Sequence, residues 1–230
     1  MATVASVAAS LPVAAASTIA TASATLRPRI AGIDVGWAPK TTWAPSTMEE
    51  RAATATLHAT RMVEWRRDPR FGRTMARHLV DDVHSGFRTA FKRVVAGLPS
   101  PPSAAASAVA TQSHPASPST TPPSTVVAAG AAKASPTSVS QFQAYVRNLE
   151  HHHQAEDQLW FPNVSRETPE LRPYVEYLSM DHQHLHPLEV RAAKHGDADA
   201  IREFESFLSD HLNREELLTV PLLMSGRGGI

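Results

Sequence analysis

Residues 152–162 read HHQAEDQLWFP and residues 211–221 read HLNREELLTVP. Each stretch carries a histidine, a glutamate four positions on, a second acid beside it, and a proline six residues after that first glutamate. A histidine and a glutamate four residues apart lie one above the other on an α-helix, so both can reach a single metal cluster. The repeat reads as two helices facing each other across a bundle, each presenting an imidazole and a carboxylate able to bridge.

Working outward, the rest of the chain between its low-complexity segments also reads as helix. Ser46 with Glu49 predicts a capping box that opens a helix to about Trp65. A second helix is expected over 71–97, and a third from Ser138, capped with Gln141, to near Pro162. Thr168-Pro169-Glu170 gives an N-cap, a proline at the first helical position and a first-turn acid, and starts a fourth helix that stops at Gly196. Asp197 or Asp199 opens a fifth that ends near Pro221. No window alternates with period two, so the expected fold is all-α.

Spacings of three and four residues then select the inward stripes. They pick Val80, His84, Phe87, Phe91 and Val94 in the second helix, and Phe142, Tyr145, Leu149, His152, Glu156 and Leu159 in the third. They pick Val175, Leu178, His182 and Leu185 in the fourth, with His186 one turn beyond His182, and Phe204, Leu208, His211, Glu215, Leu218 and Leu222 in the fifth. Two inward glutamates would each cost several kcal/mol if unpaired in an apolar core. A pair of divalent cations removes that cost and accounts for the histidines as well. His151 and His153 flank His152 at about 100° to either side, and are expected outside the ligand set. His58, His78 and His195 have no partner at ligand spacing.

Composition narrows the chemistry. The 230 residues contain 12 histidines and no cysteine, which excludes disulfide scaffolds, thiolate zinc fingers, iron–sulfur clusters and a cysteine nucleophile. Equal numbers of basic and acidic side chains, 22 each, argue against a nucleic-acid binder working by bulk charge. Histidine and carboxylate without thiolate suit iron or manganese best and zinc next. Residues 1–45 are expected as a disordered N-terminal tail whose Ala/Ser/Thr-rich start buries too little for a membrane span. A cytoplasmic location is expected, with organelle targeting by residues 1–29 as the alternative. Residues 46–222 form the expected helical domain, interrupted by a Pro/Ala/Ser/Thr-rich linker at 98–136, and 223–230 are expected as a flexible C-terminus.

His84, the His152/Glu156 pair, His182 with His186, and His211 with Glu215 or Glu216 resemble the hemerythrin-like, or HHE cation-binding, domain. The resemblance covers about residues 71–97 and 138–222. It implies an up-down-up-down four-helix bundle with a di-iron centre held by five histidines and two bridging carboxylates, here with an extra N-terminal helix. Carried over, the metal ligands are His84, His152, Glu156, His182, His186, His211 and Glu215, with Glu216 as the alternative to Glu215. Some members place the last carboxylate five residues after its histidine, whereas phase favours Glu215 at about 40° from His211 over Glu216 at about 140°. The linker at 98–136 departs from the short loop usual in the family. The implied function is a di-iron protein that binds or senses dioxygen, or another small diatomic or peroxide ligand, or handles iron. A peroxide- or nitric-oxide-consuming redox enzyme and a zinc-stabilised structural bundle are the competing readings.

Overall fold

A computed structural model describes residues 29–30, 33–100 and 132–227. The expectations for residues 1–28, for 101–131 of the linker and for the last three residues lie outside this set. The described residues are helical apart from a two-residue antiparallel pairing, Arg29–Ile30 with Ile33–Asp34, and their connecting segments. Among the described residues, no helix is long and apolar enough to cross a membrane.

Helix α1 is Met48–Arg67. Its capping box is Thr47 with Glu50, one residue beyond the expected Ser46 and Glu49. Ser46 is committed elsewhere, donating its hydroxyl to Asp210 Oδ2 at 2.6 Å. Helix α2 (75–96) follows a short 3₁₀ turn at Phe71–Arg73 and consists of Met75–Arg77, a π segment His78–His84, and Ser85–Ala96. Helix α3 (136–167) consists of Pro136–Ala155, a π segment Glu156–Trp160, and Phe161–Glu167. It is capped by Ser135 with Pro136 in the first turn, ahead of the expected Ser138. Ser138 instead donates to Gly97 O at 3.0 Å and ties the start of α3 to the end of α2. Pro162 does not end the helix, because the π turn before it already interrupts the hydrogen-bond ladder that a proline would break.

Helix α4 is Arg172–His195, entered through a 3₁₀ turn at Pro169–Leu171 in place of the expected Thr168 cap. It stops at Gly196, whose φ of 59° is left-handed and favours a residue without Cβ. Asp197 then caps α5, Ala198–Met224, by accepting from the Asp199 and Ala200 N–H groups. Pro221 lies inside α5, which runs three residues past the expected end. Linker residues 132–134 pack on this corner, with Ala134 N–H donating to Gly196 O and Ala198 N–H to Ala132 O.

One apolar cluster contains Phe91 and Val94 of α2, Phe142 and Leu149 of α3, Leu185 and Ala192 of α4, and Phe204 and Leu208 of α5. A second contains Trp160, Phe161 and Val164 of α3, Val175 and Leu178 of α4, and Leu218 and Leu222 of α5. A third joins Trp65 of α1 and Val80 of α2 to Leu217 and Val220 of α5. Between the first cluster and the other two, every helix from α2 to α5 carries a buried or nearly buried histidine. The polar layer is therefore sealed by apolar side chains on both sides.

Two expectations change here. Leu159 is exposed, and Trp160, Phe161 and Val164 are buried. The π turn inserts one residue and slips the inward stripe by one. Residues 34–45, expected in the tail, pack on the helices: Val35 is fully buried, Trp37 Nε1 donates to Arg214 O at 3.0 Å, and Tyr177 donates to Ala44 O at 2.8 Å.

Asp197→Ala should lower the unfolding free energy by about 1 kcal/mol, and Asp197→Asn by much less. The Asp197 carboxyl is held below its usual range chiefly by the Ala200 N–H, with Arg191 also contributing. The difference between wild type and the alanine variant should be full above about pH 4 and shrink as the pH falls through the lower folded-state value. Urea denaturation followed by circular dichroism at several pH values measures it.

Candidate metal centre

Two groups of side chains meet in the polar layer and share Glu156: His84, His152, Glu156 and Glu215, and His153, Glu156, His182 and His211. In the first, His84 Nε2 lies 3.2 Å from His152 Nε2, His152 Nε2 lies 3.2 Å from Glu156 Oε1, and His84 Nε2 lies 3.4 Å from Glu215 Oε2. In the second, His182 Nε2 lies 3.2 Å from His211 Nε2 and 3.5 Å from Glu156 Oε2, and His211 Nε2 lies 3.8 Å from Glu215 Oε2. Both glutamates thus stand between the two groups. Helix α2 supplies His84, α3 supplies His152, His153 and Glu156, α4 supplies His182, and α5 supplies His211 and Glu215.

Three of these imidazoles have their Nδ1 against a carboxylate. His84 Nδ1 is 2.9 Å from Glu216 Oε1, His182 Nδ1 is 3.0 Å from Asp157 Oδ2, and His211 Nδ1 is 3.1 Å from Asp181 Oδ2. An Nδ1–H donated outward leaves Nε2 as a bare lone pair aimed inward, the tautomer a metal requires. Lone pairs then face each other across 3.2 Å between His182 and His211. Four further buried atoms have no hydrogen-bond partner among the described residues: both oxygens of Glu215, Glu156 Oε2 and His153 Nε2. Burial pushes the Glu215 carboxyl well above its usual range, and the neighbouring Glu156 pushes it further. Burial also drives His211 and His153 well below theirs and His152 down to about 4, so these imidazoles are neutral at pH 7. A buried cluster of imidazoles and carboxylates with these oxygens and this nitrogen unmatched fits divalent cations.

The sequence-derived residues divide as follows. His84, His152, Glu156, His182, His211 and Glu215 come together. Glu216 stands behind His84 and does not enter either group: it accepts from His58 Nε2 at 2.5 Å, from His84 Nδ1, and from Arg88 at 2.5 Å. Burial raises its carboxyl, but these partners outweigh that and hold it well below its usual range. His186 is not brought in. Its side chain is 69 % exposed and sits 3.2 Å from Glu189, beside Glu150 on the surface, while Leu185 takes the inward position on α4.

His153 stands in the layer in a place that its phase relative to His152 did not suggest. Its ring stacks on His182 with centroids 3.8 Å apart and planes at 9°. The signal was its position three residues before Glu156, since residues three apart also share a helix face. His58 was equally unforeseen, because its partner lies 158 residues away on α5. Two other described histidines lie away from the layer: His78 pairs with Asp82, and His184 stacks on Trp43.

The family model described as the hemerythrin HHE cation binding domain matches residues 123–223. That match takes in α3, α4 and α5 and stops short of α2 with His84. No curated protein and no solved structure matches the chain. Residues 123–223 are thus similar to the hemerythrin HHE cation binding domain, and the group of His153, Glu156, His182 and His211 able to hold a cation lies inside that stretch.

Proposed function

We propose that this protein holds two iron ions in the buried layer and uses them to bind or sense dioxygen, or another small diatomic or peroxide ligand, or to handle iron. The observation that carries this reading is the convergence of five imidazoles and two carboxylates in one buried layer, with both oxygens of Glu215 unmatched. One ion would be held by His84 and His152 and the other by His153, His182 and His211, with Glu156 and Glu215 standing between them. His153 takes the place that the resemblance assigns to His186. The order in which α2 to α5 cross the apolar clusters supports an up-down-up-down four-helix arrangement, with α1 and residues 34–47 added and the 98–136 connection as a linker.

Iron would supply the redox-active, ligand-binding centre; the chain supplies orientation and shelter. Glu216, Asp157 and Asp181 fix imidazole tautomers. The apolar clusters above and below exclude water. Phe87, whose ring lies 5.1 Å from that of His152, also lines a groove between α2 and α3 that offers a small ligand an approach. The carboxylates around the centre are each committed to an imidazole, which supports a binding protein over a proton-delivering enzyme.

Anaerobic reconstitution with ferrous iron should give two ions per chain, and exposure to air should produce visible charge-transfer absorption. Reversal on removing oxygen identifies a carrier or sensor. Steady consumption of peroxide or nitric oxide above a free-iron control identifies a redox enzyme, and a colourless protein that retains zinc identifies a structural metal.

Substitution separates the neighbouring histidines. His153→Ala should weaken metal binding by about tenfold or more, whereas His151→Ala and His186→Ala should leave it nearly unchanged. Glu215→Ala should abolish the two-ion spectrum. Metal analysis after gel filtration checks each variant.

A further inference from the structure

Glu216 and Asp181 are built alike. One oxygen of Glu216 accepts from His84 Nδ1 and from Arg88, and the other accepts from His58 Nε2. One oxygen of Asp181 lies against His211 Nδ1 and Arg214, at 3.1 and 2.9 Å, and the other accepts from Trp43 Nε1 at 2.9 Å. Both carboxylates are essentially sealed from solvent, with Glu216 at 0 % and Asp181 at 1 % exposure. In each case the first oxygen is shared by a metal-facing histidine and an arginine of the bundle. In each case the second oxygen is held by a residue of the N-terminal segment.

A buried carboxylate keeps its charge and direction only while its lone pairs are met. The arginine alone meets one side. Without His58, the far oxygen of Glu216 loses the donor recorded for it, and the carboxylate can turn toward Arg88 and away from His84. Without the Trp43 N–H, Asp181 loses the donor on its own far oxygen and can turn likewise from His211. Either rotation frees an imidazole whose tautomer and angle the carboxylate had fixed. Both donors are themselves well anchored. His58 sits on α1 with its ring against Trp65, and Trp43 stacks on His184 at a centroid distance of 3.3 Å and meets Phe207 edge-on.

We propose that His58 and Trp43, which belong to neither metal-facing group, are positioning residues for the metal centre: His58 acts through Glu216 on His84, and Trp43 acts through Asp181 on His211. The segment that carries them precedes the stretch matching the hemerythrin domain. It thereby sets the two halves of the centre separately. This inference rests on the two-ion reading given above.

The division between halves supplies the test. The full-length chain is stripped of metal and titrated anaerobically with Co²⁺, with the ligand-field absorption of each ion assigned by comparison with His84→Ala and His211→Ala. His58→Ala should weaken the ion next to His84 by about 10- to 100-fold and leave the other within about threefold. Trp43→Phe, which keeps the ring but loses the N–H, should do the opposite. His58→Gln, whose amide can still donate to Glu216, should restore most of the loss. Equal weakening of both ions, or no change in either variant, overturns the inference and leaves the two-ion centre standing. A wild-type chain that takes up no Co²⁺ overturns both. Where His58→Ala unfolds α1, as circular dichroism would report, Trp43→Phe carries the same test at the other ion.

Discussion

Glu215 is completely buried, and neither of its oxygens meets a hydrogen-bond donor among the described residues. Glu156 lies across from it with one oxygen in the same condition. Two such carboxylates in an apolar interior repel each other and lose their hydration, a cost of several kcal/mol per group. Burial holds His152, His153 and His211 neutral, so these three imidazoles do not relieve it by protonation. Either Glu215 keeps a proton, as its raised carboxyl value favours, or a cation supplies the balancing charge. The fold makes sense around that requirement: four helices converge their lone pairs on one layer, and apolar clusters close it above and below.

The layer is also defended from the wrong protonation state. An imidazole in the interior could as easily carry its proton on the inward nitrogen. The carboxylates behind His84, His182 and His211 decide against that, and two of these carboxylates are in turn steadied by arginines. Charge in this protein is therefore arranged in shells, with lone pairs at the centre, carboxylates behind the imidazoles, and Arg88 and Arg214 behind the carboxylates. The N-terminal segment completes the outermost shell, which explains why an arm and a helix outside the bundle bury Val35 and Trp65 against it.

Much of this was legible in the sequence because a regular helix converts spacing into direction. Phase alone put His84, His152, Glu156, His182, His211 and Glu215 on inward stripes, and the structure gathers these six. It failed where the helix is not regular. The π turn at Glu156–Trp160 slips the stripe, so Leu159 faces water, and it leaves no mark in a 3.6-residue pattern. His186 was read inward because it lies one turn from His182, yet Leu185 fills that direction. Helix caps were missed by one and by three residues where a serine had a tertiary partner: Ser46 with Asp210, and Ser138 with Gly97. No local pattern announces a contact such as His58 with Glu216, which joins opposite ends of the chain.

The two π turns sit at the residues where α2 and α3 meet the centre, ending at His84 and beginning at Glu156. At both junctions an amide is shared. The Ser85 N–H points at the carbonyls of Asp82 and Val80, and the Glu156 N–H at those of His152 and His153. A donor with two acceptors sits in a shallow well, and sliding between them moves the side chain by less than the ~1.5 Å rise of one residue. Irregular hydrogen bonding thus falls at His84 and Glu156, where a small slide of the ladder would change the spacing across the centre.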